Sequence, residues 1–115
     1  MSRYVNCYLV TKTVEGLTVQ FEKILKSCDF EIVYQSSECM VAREIPGKVP
    51  FSKLVTVELL IDNTKATAEQ IQVDLIAKSD ELTLQLDNHC YRLFDNLTKT
   101  IANCGNWQIL EGLTS

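Results

Sequence analysis

The only histidine of the chain, His89, stands next to a cysteine, Cys90. A histidine that takes the proton of a thiol creates a nucleophile for covalent catalysis, provided that the two side chains lie within hydrogen-bond reach. Neighbouring residues of a helix point about 100° apart, so this pair does not meet if the residues from Asp87 onward form a helix. The sequence therefore predicts no catalytic residue. It places His89 at the surface with a local capping role and Cys90 in the core.

The cysteines at positions 7, 28, 39, 90 and 104 are the other candidate ligands and nucleophiles. Their number is odd, and no two have the close Cys-x-x-Cys spacing that is typical of zinc sites. Each falls at or beside an apolar position, which favours small buried thiols in a reducing compartment. Disulfides and a metal site are the less favoured alternatives, and we expect no metal and no cofactor.

Two acidic residues, Glu58 and Asp74, fall on the same face of a predicted hairpin and are expected to lie near each other. Paired carboxylates can perform acid–base catalysis when an apolar site raises the pKa of one of them. Nothing in the surrounding sequence encloses this pair. We therefore interpret it as part of a solvated face.

A proline-stiffened loop, residues 43–53, carries Arg43, Lys48 and Lys53 around several apolar side chains, among them Phe51. Apolar residues in a stiff loop lose little conformational entropy when they bind. The loop lacks the glycine-rich pattern of a phosphate-binding loop. It is interpreted as a plain connection or as a contact site for an acidic partner or ligand.

The element that must position these residues is a hairpin over residues 53–77. Its arms alternate between apolar and polar residues, which predicts two half-buried strands. The apolar sets are Val55, Val57, Leu59 and Ile61 in the first arm, and Ile71, Val73, Leu75 and Ala77 in the second.

Around this hairpin the sequence predicts two helices and further strands. Apolar residues at steps of three and four predict a helix over 14–27, capped by Thr13, and a last helix that begins at Asp87 and stops before Gly105. Strands are predicted over 3–10, 29–35 and 38–45, with a final edge strand at 106–110. Residues 82–86 are predicted to form either a further short strand or an extended lead-in that lies on the core. The fold class is α+β: an antiparallel sheet of four to six strands with both helices on one face, in the order β-α-β-β-β-β-(β)-α-(β). The alternative is a ferredoxin-like split βαβ fold.

The sheet face away from the helices is the main candidate for binding. Its predicted members include apolar residues that a freely solvated face rarely carries. They are Tyr4, Tyr8, Val10, Val33, Met40, Leu54, Leu60 and Ile76. Of these, Tyr4, Tyr8, Met40, Leu54 and Leu60, together with Arg43, Lys48 and Phe51 of the loop, form the predicted partner-binding set.

Composition narrows the class of partner. The 115 residues suit one domain, and 11 basic against 15 acidic residues give a net charge of −4. An acidic chain is a poor binder of nucleic acid and of anionic lipid. No apolar run reaches the ~20 residues that span a bilayer, and no signal peptide is recognisable, so we expect a cytoplasmic protein with no membrane insertion.

Two stretches, Val49–Glu58 and Leu84–Cys90, resemble a group of small conserved cyanobacterial proteins without an established activity. Ala42-Arg43-Glu44 and Trp107-Gln108 fit the same pattern. The order of elements is also similar to that of TATA-binding-protein-like and helix-grip folds. The resemblance implies a cytoplasmic protein of a photosynthetic bacterium and carries over no catalytic residue.

The predicted function is therefore protein binding by an adaptor or regulatory module, either to another protein or by self-association. The alternative is a carrier that holds a small apolar ligand between the sheet and the last helix. An enzyme is the least favoured class.

Overall fold

The computed structural model describes residues 2–47, 49–62, 70–80 and 88–114 of the chain. The elements, in chain order, are β1 (Ser2–Val10), α1 (Val14–Ser27), β2 (Phe30–Gln35), β3 (Cys39–Glu44), a 3-10 turn (Phe51–Lys53), β4 (Thr56–Asp62), β5 (Ile71–Ser79), α2 (His89–Ala102) and β6 (Trp107–Thr114). This confirms the predicted α+β class and element order. The ferredoxin-like alternative does not fit, because four strands rather than two lie between the helices in the described part of the chain.

The strands form one antiparallel sheet in the order β2-β3-β4-β5-β1-β6. The predicted hairpin, β4 with β5, occupies the centre, and β2 and β6 are the edges. Both edge pairings contain an irregularity, between Ile32 and Tyr34 in β2 and opposite Cys7 and Tyr8 in β6. Bulges of this kind discourage an edge strand from pairing with a foreign strand.

The two helices begin and end at residues whose chemistry suits those positions. Thr13 caps α1 by accepting a hydrogen bond from the Gly16 amide at 3.1 Å, as predicted. Asn88 caps α2 by accepting from the Tyr91 amide at 2.9 Å, so this helix begins one residue later than predicted. The predicted cap, Asp87, and the predicted strand at 82–86 lie outside the described residues. Gly105, at φ 77°, follows the end of α2, where a residue without a Cβ is favoured.

Both helices pack on the same face of the sheet, which we call the inner face. Leu17, Phe21 and Leu25 of α1 and Leu97 and Ile101 of α2 are almost fully buried in one core with the inward side chains of the strands. Aromatic rings tie the last strand into this core. The ring of Trp107 lies 5.4 Å from that of Tyr8 and 5.9 Å from that of Phe21, measured between centroids.

The predicted inward sets of β4 and β5 are correct, but the faces of β1 are inverted. Tyr8 lies opposite Val73 and Tyr4 opposite Ala77, so both tyrosines share the inner face with the core residues of β5. Each is no more than 5% exposed. Both faces of β1 are apolar, and the larger rings go inward because they remove more surface from water.

The same correction applies to β3. Met40 lies opposite the buried Leu59 and is itself 1% exposed, so it belongs to the core and is not part of a binding surface. Val10, also predicted to face outward, is fully buried on the inner face. Ile76 does face outward but is only 5% exposed, whereas Leu60 is 39% exposed on the outward side, as predicted.

We call the other side of the sheet the outer face. Along the four inner strands of the sheet it consists of Arg3, Val5, Cys7 and Leu9 of β1, Gln72, Asp74, Ile76 and Lys78 of β5, Thr56, Glu58, Leu60 and Asp62 of β4, and Cys39, Val41 and Arg43 of β3. Neither helix covers it.

Replacing Tyr8 and Leu60 by serine tests this assignment of faces. We expect Tyr8→Ser to lower the free energy of unfolding by about 3 to 5 kcal/mol, because it empties a buried ring site. Leu60→Ser should lower it by less than about 1 kcal/mol, because this side chain is already in contact with water. Urea titrations measure both values, and equal losses would contradict the orientation of β1.

Because the phenol of Tyr8 is buried, we expect the free energy of unfolding to decrease in alkali. Burial raises the pKa of Tyr8 above its ordinary value, and the hydrogen bond from the Asn6 amide (3.1 Å) lowers it by less. The unfolded chain releases this proton near pH 10, whereas the folded chain keeps it to higher pH. The contribution of Tyr8 to stability is therefore complete below about pH 10 and falls as the pH rises through the raised value. Unfolding midpoints between pH 8 and 11.5 should fall less steeply for Tyr8→Phe than for the wild type.

Candidate functional site

The strongest acid–base pair in the described structure is Glu44 with His89. Nε2 of His89 lies 2.8 Å from Oε2 and 3.0 Å from Oε1 of Glu44. Oε1 also accepts a hydrogen bond from the Val55 amide at 3.1 Å. The side chains are only 11% and 4% exposed, so the pair is closed to bulk water.

Three strand ends and one helix terminus bring these groups together. Glu44 is the last residue of β3, and its backbone amide bonds to the Val55 carbonyl just before β4. His89 is the first residue of α2. The Asn88 side chain, which caps the helix, also donates to the hydroxyl of Ser2 at the start of β1, at 2.8 Å. Two side-chain hydrogen bonds therefore hold the start of α2 to β1 and β3.

This arrangement corrects the prediction for His89, which is buried and hydrogen-bonded to Glu44 instead of lying at the surface. The position of Glu44 could have been read from the sequence, because Met40, Ala42 and Glu44 alternate along β3 and the first two are core residues. The partnership with His89 could not, because it depends on how α2 docks across the sheet.

A carboxylate that orients an imidazole is a common part of a catalytic site, but it needs a nucleophile or a substrate within reach. Nε2 of the His89 ring is hydrogen-bonded to Glu44. Cys90 is completely buried in the core, as predicted. The Glu44–His89 hydrogen bonds therefore fasten the start of α2 to the end of β3.

The charges of the outer face are sorted along the strands. Arg3, Lys78, Thr56 and Arg43 lie side by side in one row across β1, β5, β4 and β3, which we call the basic row. The next row, the middle row, contains Val5, Ile76, Glu58 and Val41. Beyond it, along the same four strands, every charged residue of the outer face is acidic: Asp74 and then Asp62. Along these four strands one end of the face is therefore basic and the other acidic, and at the basic end Glu31 of the edge strand β2 lies opposite Arg43.

Ion pairing inside the chain uses only some of these charges. Nζ of Lys78 lies 2.6 Å from Oε1 of Glu58. The expectation that Glu58 and Asp74 share a face is confirmed, since Glu58 lies opposite Ile76, between Asp74 and Lys78. Arg43 and Asp74 form no ion pair within the part of the chain that the structure describes. They carry charge of opposite sign toward solvent at opposite ends of the outer face.

The proline loop presents an exposed ring. Phe51 is 83% exposed, and it lines a shallow cavity of about 530 Å³ with Pro46, Gly47, Val49 and Pro50. Leu54, another predicted contact residue, is half-buried beside Thr56 and Lys78 at a smaller cavity of about 150 Å³. Lys48 lies outside the described residues, so the structure does not describe the whole of the predicted basic cluster of the loop.

The thiols are distributed over different surfaces. All five cysteines are free. Cys7 and Cys39 lie on the outer face, whereas Cys28 and Cys104 both lie next to Thr100 of α2, with contacts of 3.8 and 3.5 Å. Burial raises the pKa of the Cys39 thiol above its ordinary value, and the charge of Glu58 raises it further. Among the described residues, no three potential ligands form a cluster that could hold a metal ion.

The cavity that described residues line beside α2 does not favour the carrier alternative. Besides those at the loop and at Leu54, one of about 360 Å³ runs between the end of α1 and the last turns of α2, and its walls include Asp29, Asn96 and Lys99. Polar walls of this kind suit water better than an apolar ligand. The carrier stays a prediction.

No protein-family model matches the chain, and searches of curated proteins and of solved structures find no match. The resemblance to small cyanobacterial proteins therefore stays a prediction. Neither helix of the described structure is long and apolar enough to cross a membrane.

Removing the imidazole tests what the buried pair does. We expect His89→Ala to lower the free energy of unfolding by about 3 to 5 kcal/mol, because it leaves the Glu44 carboxylate buried without its partner. The double variant Glu44→Leu/His89→Ala should recover part of this loss, since it removes the stranded charge as well.

Chemical denaturation of the wild type, both single variants and the double variant measures the coupling between the two groups. A loss below about 1 kcal/mol for His89→Ala would contradict a fastening role.

Proposed function

We propose that this protein is a small non-enzymatic binding module, of adaptor or regulatory type, that contacts a protein partner through its outer sheet face. The observation that carries the proposal is the composition of that face. Val5, Val41 and Leu60 expose apolar surface that neither helix covers, and charges of both signs border it. Apolar surface bordered by charge is typical of protein–protein contacts.

The corrected faces change which residues take part. Tyr4, Tyr8 and Met40 support the core and do not touch a partner. Leu60 and Arg43 of the predicted set remain, and the half-exposed Val5, Leu9 and Val41 join them. Phe51 provides a second contact at the proline loop, where an exposed aromatic ring offers apolar area at low entropic cost.

The chemistry of the molecule supports binding over catalysis. Its best acid–base pair is shielded from water and already engaged in holding α2 to the sheet. Five free thiols in a chain of this size suit a reducing compartment, so we place the protein in the cytoplasm. The excess of acidic residues supports a protein partner over a nucleic acid.

Native cysteines provide a test of the binding face. Cys39 and Cys7 report on the outer face, and the exposed Cys104 reports on the helix side. We expect a partner to slow alkylation of Cys39 and Cys7 while Cys104 reacts at its normal rate, because only the outer face loses contact with reagent. The measurement is mass spectrometry of isotope-labelled protein, kept at low micromolar concentration, in buffer and in a cytoplasmic extract of its own cells.

Two matched variants test whether the protection from alkylation arises at the outer face. Leu60→Asp should abolish the protection, whereas Val19→Asp, at a 55% exposed apolar position of α1, should leave it intact. Alkylation of Cys39 that Leu60→Asp does not accelerate in buffer or in extract, or equal effects of the two variants, would reject the outer face as the binding surface.

A further inference from the structure

We infer that the partner of the outer face is a second copy of this chain, bound face to face about a two-fold axis that lies across the strands. The inference rests on the proposed function, because it uses the same face, and it adds the identity of the partner and its orientation. The carrying observation is the separation of charge along the strands.

Symmetry restricts how two identical sheets can stack on this face. A two-fold axis parallel to the strands would place the basic row of one copy on the basic row of the other, which is repulsive. An axis across the strands reverses the rows, so that the basic row of each copy meets the acidic end of its partner. Two-fold interfaces must be self-complementary, and only the second arrangement meets that requirement here.

The sequence of β5 shows the complementarity most directly. Its outer-face residues run Asp74, Ile76, Lys78, with the apolar side chain between opposite charges. An axis that passes close to Ile76 sets Lys78 of each copy over Asp74 of the other. Asp74 forms no ion pair within the described part of its own chain, so it is available for this contact. Val5 lies beside Ile76 in the middle row, and Val41 lies beyond Glu58 in the same row. These two half-exposed side chains supply the apolar surface of the contact, because Ile76 itself is only 5% exposed.

The one charge in the middle row is Glu58. In this arrangement it lies near the axis, where it would approach the same residue of the second copy. Lys78 neutralises it within the chain at 2.6 Å, so the carboxylate does not enter the contact as an isolated charge. The sheets of aligned sandwiches also cross at about 30°, which separates equivalent side chains away from the axis itself.

The area of the outer face and the bulges in the two edge strands agree with face-to-face stacking of two copies. Six strands about 4.8 Å apart and about seven residues long give a flat area of roughly 550 Å². Side chains corrugate this area, so its accessible surface approaches the ~800 Å² per partner of a standard interface. Both edge strands are bulged, with Val33 and Leu110 as the extra residues, and this discourages the competing edge-to-edge dimer.

A charge exchange on β5 tests the arrangement. Sedimentation equilibrium of the reduced chain should give twice the monomer mass of 13.0 kDa, with dissociation promoted by salt. Asp74→Lys and Lys78→Asp should each weaken the dimer at least tenfold, and the double variant Asp74→Lys/Lys78→Asp should restore most of the affinity. The double variant also keeps a lysine beside Glu58, because Glu58 lies diagonally opposite both positions.

Cross-linking locates the axis. In a chain whose native outer-face thiols are replaced (Cys7→Ser, Cys39→Ser), the substitution Val5→Cys, at a half-exposed position of the middle row, should give a disulfide-linked dimer on mild oxidation. Leu9→Cys, placed far from the axis, should not. Far-ultraviolet circular dichroism and melting curves verify that each variant is folded.

A monomer up to about 200 μM would overturn the second copy as partner and leave the alkylation test of a different protein partner unaffected. A dimer that the single charge variants do not weaken, or that Leu9→Cys links as readily as Val5→Cys, would overturn the proposed axis.

Discussion

The alignment of β1 against β5 is the constraint on which the rest of the structure depends. With Tyr8 opposite Val73, the two tyrosines of β1 enter the core beneath the helices. A shift by one residue would turn every side chain of β1 to the other face. The ring of Tyr4 would then leave its stack with Phe94 of α2, and the ring of Tyr8 would leave Trp107 of β6. The position of α2 and the pairing of β6 both follow from this register.

The sequence predicts the elements well because their signals are local. Steps of three and four mark each helix, and strict alternation marks β4 and β5, where apolar and polar residues differ clearly. β1 offers no such contrast, since Val5 and Leu9 are as apolar as the set that is buried. The fit of the tyrosine rings against the helices decides which face of β1 points to the core. This fit depends on residues in distant parts of the chain. The candidate binding surface was therefore predicted on the right sheet but with four of its residues, Tyr4, Tyr8, Val10 and Met40, on the wrong side.

The Glu44–His89 pair shows the same division between local and distant information. Burying a carboxylate is costly unless it is paired and hydrogen-bonded, and Glu44 has both His89 and the Val55 amide as partners. The pair fixes the position of the first turn of α2 relative to the ends of the strands. A purely apolar contact would allow the helix to shift along its axis. A histidine beside a helix cap is visible in the sequence, but its partner lies 45 residues away along the chain. Only the docking of α2 across the sheet brings them together.

The surfaces of this sheet differ in what they can bind, and that difference carries the functional argument. The inner face is filled by two helices. Bulges interrupt the backbone ladders at the edges, so strand addition to β2 or β6 would lack a regular template. The outer face keeps a regular array of side chains on four strands, with an apolar band and with charge sorted by sign. Random scatter of surface charge would serve solubility equally well. Here the charges are sorted along the strands and the middle row is mostly apolar, which favours one orientation of a partner. If the partner were turned by 180° within the plane of the sheet, like charges would meet.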